Sequence, residues 1–276
     1  MLFNASEFEY SVVCQASTSR VYPYMRTPDG CLTMDCISPH HGRSYIVAQD
    51  SKSRYIVSKG NGLSYTQYNL LNTGEFGDNT LGLLLKKDAI RDFNLGQEIS
   101  SLGIKTNHME YVLELHTDIT LSNGHNLRPI LLQYSVECPY RICDAAFVRR
   151  DILDTYIEKW DQFETHTHDE RYLKAAEILV KNLRILHSNN ILHNAIHVQN
   201  YTWALELLDF ELSCSPRYPY DSEEDQKYVK DLFSREIIYT YEVINHIAWY
   251  LDEKLNYRKI DNIFQNNGFD LQIFSI

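Results

Sequence analysis

The chain has 276 residues and a net charge of −11, from 26 Lys and Arg against 37 Asp and Glu, and 44% of it is hydrophobic. That length makes one large domain or two small ones, and that hydrophobic content excludes wholesale disorder. The acidic balance disfavours nucleic-acid binding, and no apolar run approaches the roughly 20 residues of a membrane helix. Met1 to Tyr10 lacks the basic and apolar regions of a signal peptide, so a soluble, cytoplasmic chain is expected, with secretion by a route that uses no such signal left open. The six cysteines are Cys14, Cys31, Cys36, Cys138, Cys143 and Cys214. None of them is paired at zinc-knuckle spacing, which points to reduced thiols rather than a metal cluster.

Taken in chain order, Tyr45–Val47 and Tyr55–Val57 flank a polar turn and predict a hairpin. Gly60-Asn61-Gly62 follows, then a polar stretch to Asn79 and a short apolar run, Leu81–Leu85, expected as a strand. From Asp88 the period changes. Ile90, Phe93, Ile99 and Leu102 predict a helix of about four turns, closed by Gly103. Tyr111–Leu115 and Ile130–Val136 read as strands, with a turn at Ser122–Gly124. Arg171–His187 carries a broad apolar stripe and ends at Ser188-Asn189-Asn190. Ile191–Asn200 is expected as a loop, Leu205–Phe210 as a small strand, and Arg217–Asp225 as an acidic, solvated loop. Ile237–Leu251 and Ile260–Phe264 predict two further helices. The order predicts an α+β chain with a sheet-rich N-lobe of about 1–137 and a helical C-lobe of about 138–276.

Two groups of residues carry chemistry in such a layout. Lys59 ends a hairpin strand just before Gly60-Asn61-Gly62, and Asp92 lies on the helix that follows. A strand lysine held by a helix carboxylate is how nucleotide-dependent phosphotransferases place a cation on phosphates. Further on, His193-Asn194-Ala195-Ile196-His197-Val198-Gln199-Asn200 precedes Asp209-Phe210, with the aspartate nine residues past Asn200. Asn and Asp oxygens together suit magnesium. Ala195 stands where a protein kinase has its base, and it can accept no proton.

These residues resemble the selenoprotein O family, pseudokinase-fold protein adenylyltransferases, of which the chain would be a short, divergent member. Gly42-Arg43 is similar to the family's Gly-Asp-Gly-Arg, and Lys59-Gly60-Asn61-Gly62 to its Lys-Gly-Ser/Ala-Gly. Ile90-Arg91-Asp92-Phe93 through Ser101-Leu102-Gly103-Ile104-Lys105-Thr106 is similar to its Ile-Arg-Glu-Phe helix ending Leu-Gly-Ile-Pro-Thr, without a gap. Tyr140-Arg141 sits where the family has His-Ile/Leu-Arg. His193 to Asn200 with Asp209-Phe210 is similar to its His-Gly-Val-x-Asn-Thr-Asp-Asn and Asp-Tyr-Gly. The likeness spans about residues 42–250, and it implies a protein-kinase-like bilobal fold forming one kinase-like domain over 1–276.

The resemblance implies ATP and Mg2+ as cofactors and transfer of AMP to a Ser, Thr or Tyr hydroxyl of a protein substrate. ATP would bind with its γ-phosphate buried. Lys59 and Arg43 would clamp phosphates beside Gly60 and Gly62, Asp92 would orient Lys59, Arg141 would reach the buried phosphate end, and Asn200 and Asp209 would hold Mg2+. The chain departs from the pattern at Gln199, Tyr134, Asp92 and Glu211, where the family has an acid, an arginine, a glutamate and a glycine. The shorter Asp92 means that Lys59 comes closer to it or uses Glu98. Kinase-like γ-phosphoryl transfer and a catalytically silent nucleotide-binding pseudokinase are the alternatives. His193 is expected to hold its loop by hydrogen bonds, and His197 to pack within it. His40-His41, beside Gly42, could line the nucleotide mouth, and His166 and His168 belong to an exposed loop.

Overall fold

The computed structural model describes residues 2–26, 34–37, 43–62, 82–120, 126–162 and 170–271. The chain forms two compact units. The first comprises Met1–Gln97 and Asn107–Pro139, and the second Glu98–Thr106 and Tyr140–Ile276. The first is sheet-rich and the second helical, an α+β organisation.

The first unit contains β1 (Leu2–Glu7), β2 (Tyr10–Gln15), β3 (Tyr24–Arg26), β4 (Met34–Ile37), β5 (Ser44–Gln49) and β6 (Tyr55–Lys59). After helix α1 (Lys86–Ser101) come β7 (His108–Leu115), β8 (Ile119–Thr120), β9 (Asn126–Leu127) and β10 (Ile130–Val136). Eight of these strands make one antiparallel sheet in the order β2-β7-β10-β6-β5-β4-β1-β3, and β8 and β9 form a separate pair. The expected hairpin is β5–β6, with Ile46 opposite Val57. Its turn closes because Asp50 Oδ1 accepts the N–H groups of Lys52 and Arg54, both at 2.8 Å, the local bond that favours Asp in turns. β10 lies between β7 and β6 and is buried along its whole length, its polar Gln133 and Ser135 included.

Helix α1 forms where its period predicted. Ala89, Phe93, Leu95 and Ile99 are buried on one side, and Gly103, with φ +83°, takes the left-handed position past its end. The run Leu81–Leu85 does not make the expected strand among its described residues, 82–85. Leu83 instead packs with Met25, Tyr111, Leu113, Leu115 and Leu131, and the Leu85 carbonyl already accepts the N–H of Ala89 as the helix begins. The run is an apolar anchor for the helix start.

The second unit holds a 3-10 turn, Ile142–Phe147, then α2 (Arg150–Ile157), a second 3-10 turn, Glu158–Gln162, α3 (Arg171–Ser188), α4 (Glu223–Leu251) and α5 (Tyr257–Asn266). The α3 stripe of Leu173, Ala176, Leu179, Val180, Leu183 and Leu186 is buried. Trp160 and Trp203 stack at 6.1 Å, and the Trp160 indole donates to the Trp203 carbonyl at 2.9 Å. None of the described helices is long and apolar enough to cross a membrane.

Two expectations fail here. Leu205–Phe210 is not a strand, because Leu205 (φ +57°) and Asp209 (φ +69°) are left-handed and break any extended run, leaving isolated bridges at Leu207 to Thr106 and Tyr201. The acidic run Glu223-Glu224-Asp225 is not loop but the first turn of α4, where a helix's partial positive charge favours acidic residues. Gly42, His40, His41, His166, His168, the turn Ser122–Gly124 and the polar stretch to Asn79 lie outside the described residues.

Candidate functional site

In the first unit, Lys59 is the last residue of β6, and its side chain shares a sheet face with Leu132, its β10 neighbour. The Lys59 ammonium meets Asp92 Oδ2 of α1 at 2.8 Å, with side-chain exposures of 3% and 1%. Bringing two charges out of water is costly unless each satisfies the other, so this short bond is a condition of the fold. It also means that Lys59 comes close enough to meet the shorter Asp92 directly.

The turn after Lys59 is tightly specified. The Gly60 N–H donates to the Arg43 carbonyl at 2.9 Å, which places Arg43 beside the turn. Gly60 has φ +99°, and a Cβ there would run into the Ile130 carbonyl oxygen and touch Leu84. Asn61 is buried, and its amide donates to the Tyr24 carbonyl at 2.5 Å and to Ser58 Oγ at 2.9 Å. Gly62 closes the turn, its N–H 3.3 Å from the Gly82 carbonyl. The unit thus presents an oriented cation next to a glycine turn, a combination suited to an anionic group.

In the second unit, Arg141, 7% exposed, stands at the start of the first 3-10 turn, where Asp144 Oδ2 accepts its backbone N–H at 2.7 Å. Its guanidinium donates to the Gln199 carbonyl at 2.5 Å and to Asn200 Oδ1 at 3.3 Å. Asn200 Nδ2 donates to the Ala195 carbonyl at 2.9 Å. Arginine can only donate, so these two bonds settle which end of the Asn200 amide is oxygen, and that oxygen has a second lone pair. The Asn200 carbonyl accepts the Leu208 N–H at 2.9 Å, which ties the Asn200 end of the loop to the residue before Asp209. Asp209 is partly exposed. An amide oxygen and a carboxylate are the hard donors that magnesium takes together with phosphate oxygens and water, so the donor set fits that ion.

His193 is 0% exposed. Its Nε2 lies 2.9 Å from the Leu208 carbonyl, so this nitrogen carries the proton, and Nδ1 accepts the Ala195 N–H at 3.2 Å. With both nitrogens engaged, the ring holds the loop, and burial lowers its pKa below 6.5. The native state therefore resists protonation while the unfolded chain accepts it near pH 6.5. Stability is complete above that pH and falls as pH drops below it, towards the lowered folded pKa. Urea midpoints measured from pH 7.5 to 5 should fall over that range in the wild type, and His193→Gln should remove part of the slope. An unchanged slope in His193→Gln would show that the ring does not titrate this way.

Several positions that sequence reasoning missed complete the loop. Glu236 of α4 is buried, accepting the Asn194 N–H at 2.7 Å through Oε1 and meeting His187 Nε2 at 2.9 Å through Oε2. The stretch after Asp209 is also pinned. Cys214 exchanges both backbone bonds with Leu192 at 2.9 Å, and the Ser213 hydroxyl donates to the His193 carbonyl at 2.9 Å. Tyr220 Oη donates to the Leu212 carbonyl at 2.7 Å and accepts from Asn194 Nδ2 at 2.9 Å. No periodicity could have announced these contacts, since each joins residues from separate elements. Cys143, in the turn beside Arg141, has its thiol pKa pushed up to about 12 by burial and by Asp144, so it is no nucleophile near neutral pH.

No family model and no curated protein matches the chain. Among solved structures, it is similar to the kinase domain of a Toxoplasma gondii specific rhoptry antigen, at 9% identity. That likeness covers 85% of this chain and 76% of the other, with a TM-score of 0.43.

Proposed function

We propose that the chain is a kinase-like, ATP- and Mg2+-dependent transferase that moves AMP from ATP onto a Ser, Thr or Tyr hydroxyl of a protein. The observation that carries this reading is the buried 2.8 Å pair of Lys59 and Asp92 at a glycine turn. A buried ion pair is poor value for stability alone, and a phosphate-binding role accounts for its presence. Arg141 adds support. Its guanidinium lies against Asn200 Oδ1, an oxygen also suited to a metal ion. A guanidinium and a metal ion so close repel unless an anion joins them, and a nucleotide phosphate is such an anion.

On this reading Lys59 neutralises phosphate charge, with its ammonium held in direction by Asp92. Arg141 binds a phosphate oxygen, and Arg43 contributes from beside the Gly60 turn. Asn200 and Asp209 would hold magnesium, which when bound supplies charge neutralisation on the phosphates. The acceptor hydroxyl oxygen bonds to the α-phosphorus, the bond to the bridging oxygen breaks, pyrophosphate leaves, and the hydroxyl proton goes to solvent. The protein contributes positioning and electrostatics.

A second reading, a silent nucleotide-binding pseudokinase, is favoured by Ala195 and Gln199, neither of which can take a proton. Incubation with α-labelled or γ-labelled ATP and candidate protein acceptors separates the possibilities. Label on protein from the α position alone is expected. Label from the γ position alone would replace AMP transfer by phosphoryl transfer, and ATP–Mg binding without either label would leave the silent binder.

A further inference from the structure

Ser44 opens β5 directly opposite Lys59. The Gly60 N–H to Arg43 carbonyl bond lies just outside this pair, so Ser44 and Lys59 occupy a non-hydrogen-bonded position of the ladder. Residues so placed project from the same sheet face, with Cβ atoms about 4.5–5.5 Å apart. Ser44 is 1% exposed, and its hydroxyl has no hydrogen-bond partner among the described residues. On the other side of Lys59 stands Leu132, fully buried and apolar.

A hydroxyl in that position is hard to explain by folding. Burial strips its water, and nothing among the described residues replaces it, whereas alanine would fill nearly the same space without that loss. The neighbouring cation supplies an explanation. An anion drawn to the Lys59 ammonium comes within reach of a side chain one strand away, and an anionic oxygen is a strong acceptor for an O–H donor. We propose that the Ser44 hydroxyl donates a hydrogen bond to the phosphate group that Lys59 neutralises, and so helps set the affinity of the site for polyphosphate. This rests on the nucleotide reading above.

The test is Ser44→Ala in the full chain, read by calorimetry with ATP–Mg, inorganic tripolyphosphate–Mg and adenosine, together with the melting temperature of the ligand-free protein. The expected result is affinity for ATP–Mg and tripolyphosphate–Mg weakened about tenfold, the scale of a hydrogen bond to a charged group. Any affinity for adenosine should be unchanged, and the ligand-free melting temperature equal to or above that of the wild type. ATP–Mg and tripolyphosphate–Mg affinities within twofold of wild type would overturn the proposal while leaving the nucleotide site standing. Weakened affinity accompanied by a lower ligand-free melting temperature would also overturn it, because the hydroxyl would then serve the fold. If the wild type binds neither ATP–Mg nor tripolyphosphate–Mg, the nucleotide reading itself falls, and this inference with it.

Discussion

Asp92→Ala should lower the stability of the folded protein by about 3–5 kcal/mol, the range for removing one partner of a buried ion pair. The reason lies in what stays behind. Lys59 is almost wholly buried, and without the carboxylate 2.8 Å away its ammonium loses its close counter-charge where little water can replace it. Replacing both partners, Lys59→Met with Asp92→Leu, should recover most of the loss, because two apolar side chains of similar size need no charge compensation there. Urea denaturation of the two single variants and the double variant provides the check. A single variant that costs less than about 1 kcal/mol would place the pair in the class of solvated surface bridges. The double variant also serves the proposed nucleotide reading, which expects it to fold yet show none of the wild type's stabilisation by ATP–Mg.

The second large effect is expected at Gly60, with Gly103 as its control. Both glycines are left-handed, at φ +99° and +83°, and an alanine pays about 1–2 kcal/mol for that conformation. At Gly103 nothing lies within 4 Å of the added carbon, so Gly103→Ala should cost little more than that. At Gly60 the added carbon meets the Ile130 backbone carbonyl, which cannot swing away as a flexible side chain can. Overpacking of this kind adds about 1–3 kcal/mol, so Gly60→Ala should lose about 2–5 kcal/mol in all. Equal losses at the two positions, measured in one denaturant series, would mean that packing around Gly60 yields freely.

What could be read from the residues alone was what repeats locally. Helix α1 was legible because Phe93 and Ile99 recur at helical spacing and Gly103 supplies a stop, and β5–β6 because two β-branched and aromatic runs bracket an Asp turn. The Lys59–Asp92 contact followed from the pair's places on those two elements. The strands β3 and β4 were not legible, since Tyr24–Arg26 and Met34–Ile37 carry too few residues to show an alternation. The apolar run Leu205–Phe210 misled because hydrophobicity reports burial and not backbone direction, and two left-handed residues turn the chain there. In the second unit, Asn200 and Asp209 were marked by their spacing. The Arg141 bond to Asn200 and the Glu236 bond to Asn194 join residues 59 and 42 positions apart, and only folding reveals them.

The pinned stretch after Asp209 limits how this protein can be controlled. Some phosphate-transferring enzymes keep a segment of chain near the site loose, and a covalent mark turns activity on by giving it order. Here Ser213, Cys214, Ser215 and Tyr220 are already anchored, to His193, Leu192, Glu98 and Leu212 in turn. A segment with its bonds made has no disorder left for such a mark to remove. On the transferase reading proposed above, a covalent mark placed on this stretch would have to break existing bonds rather than create order.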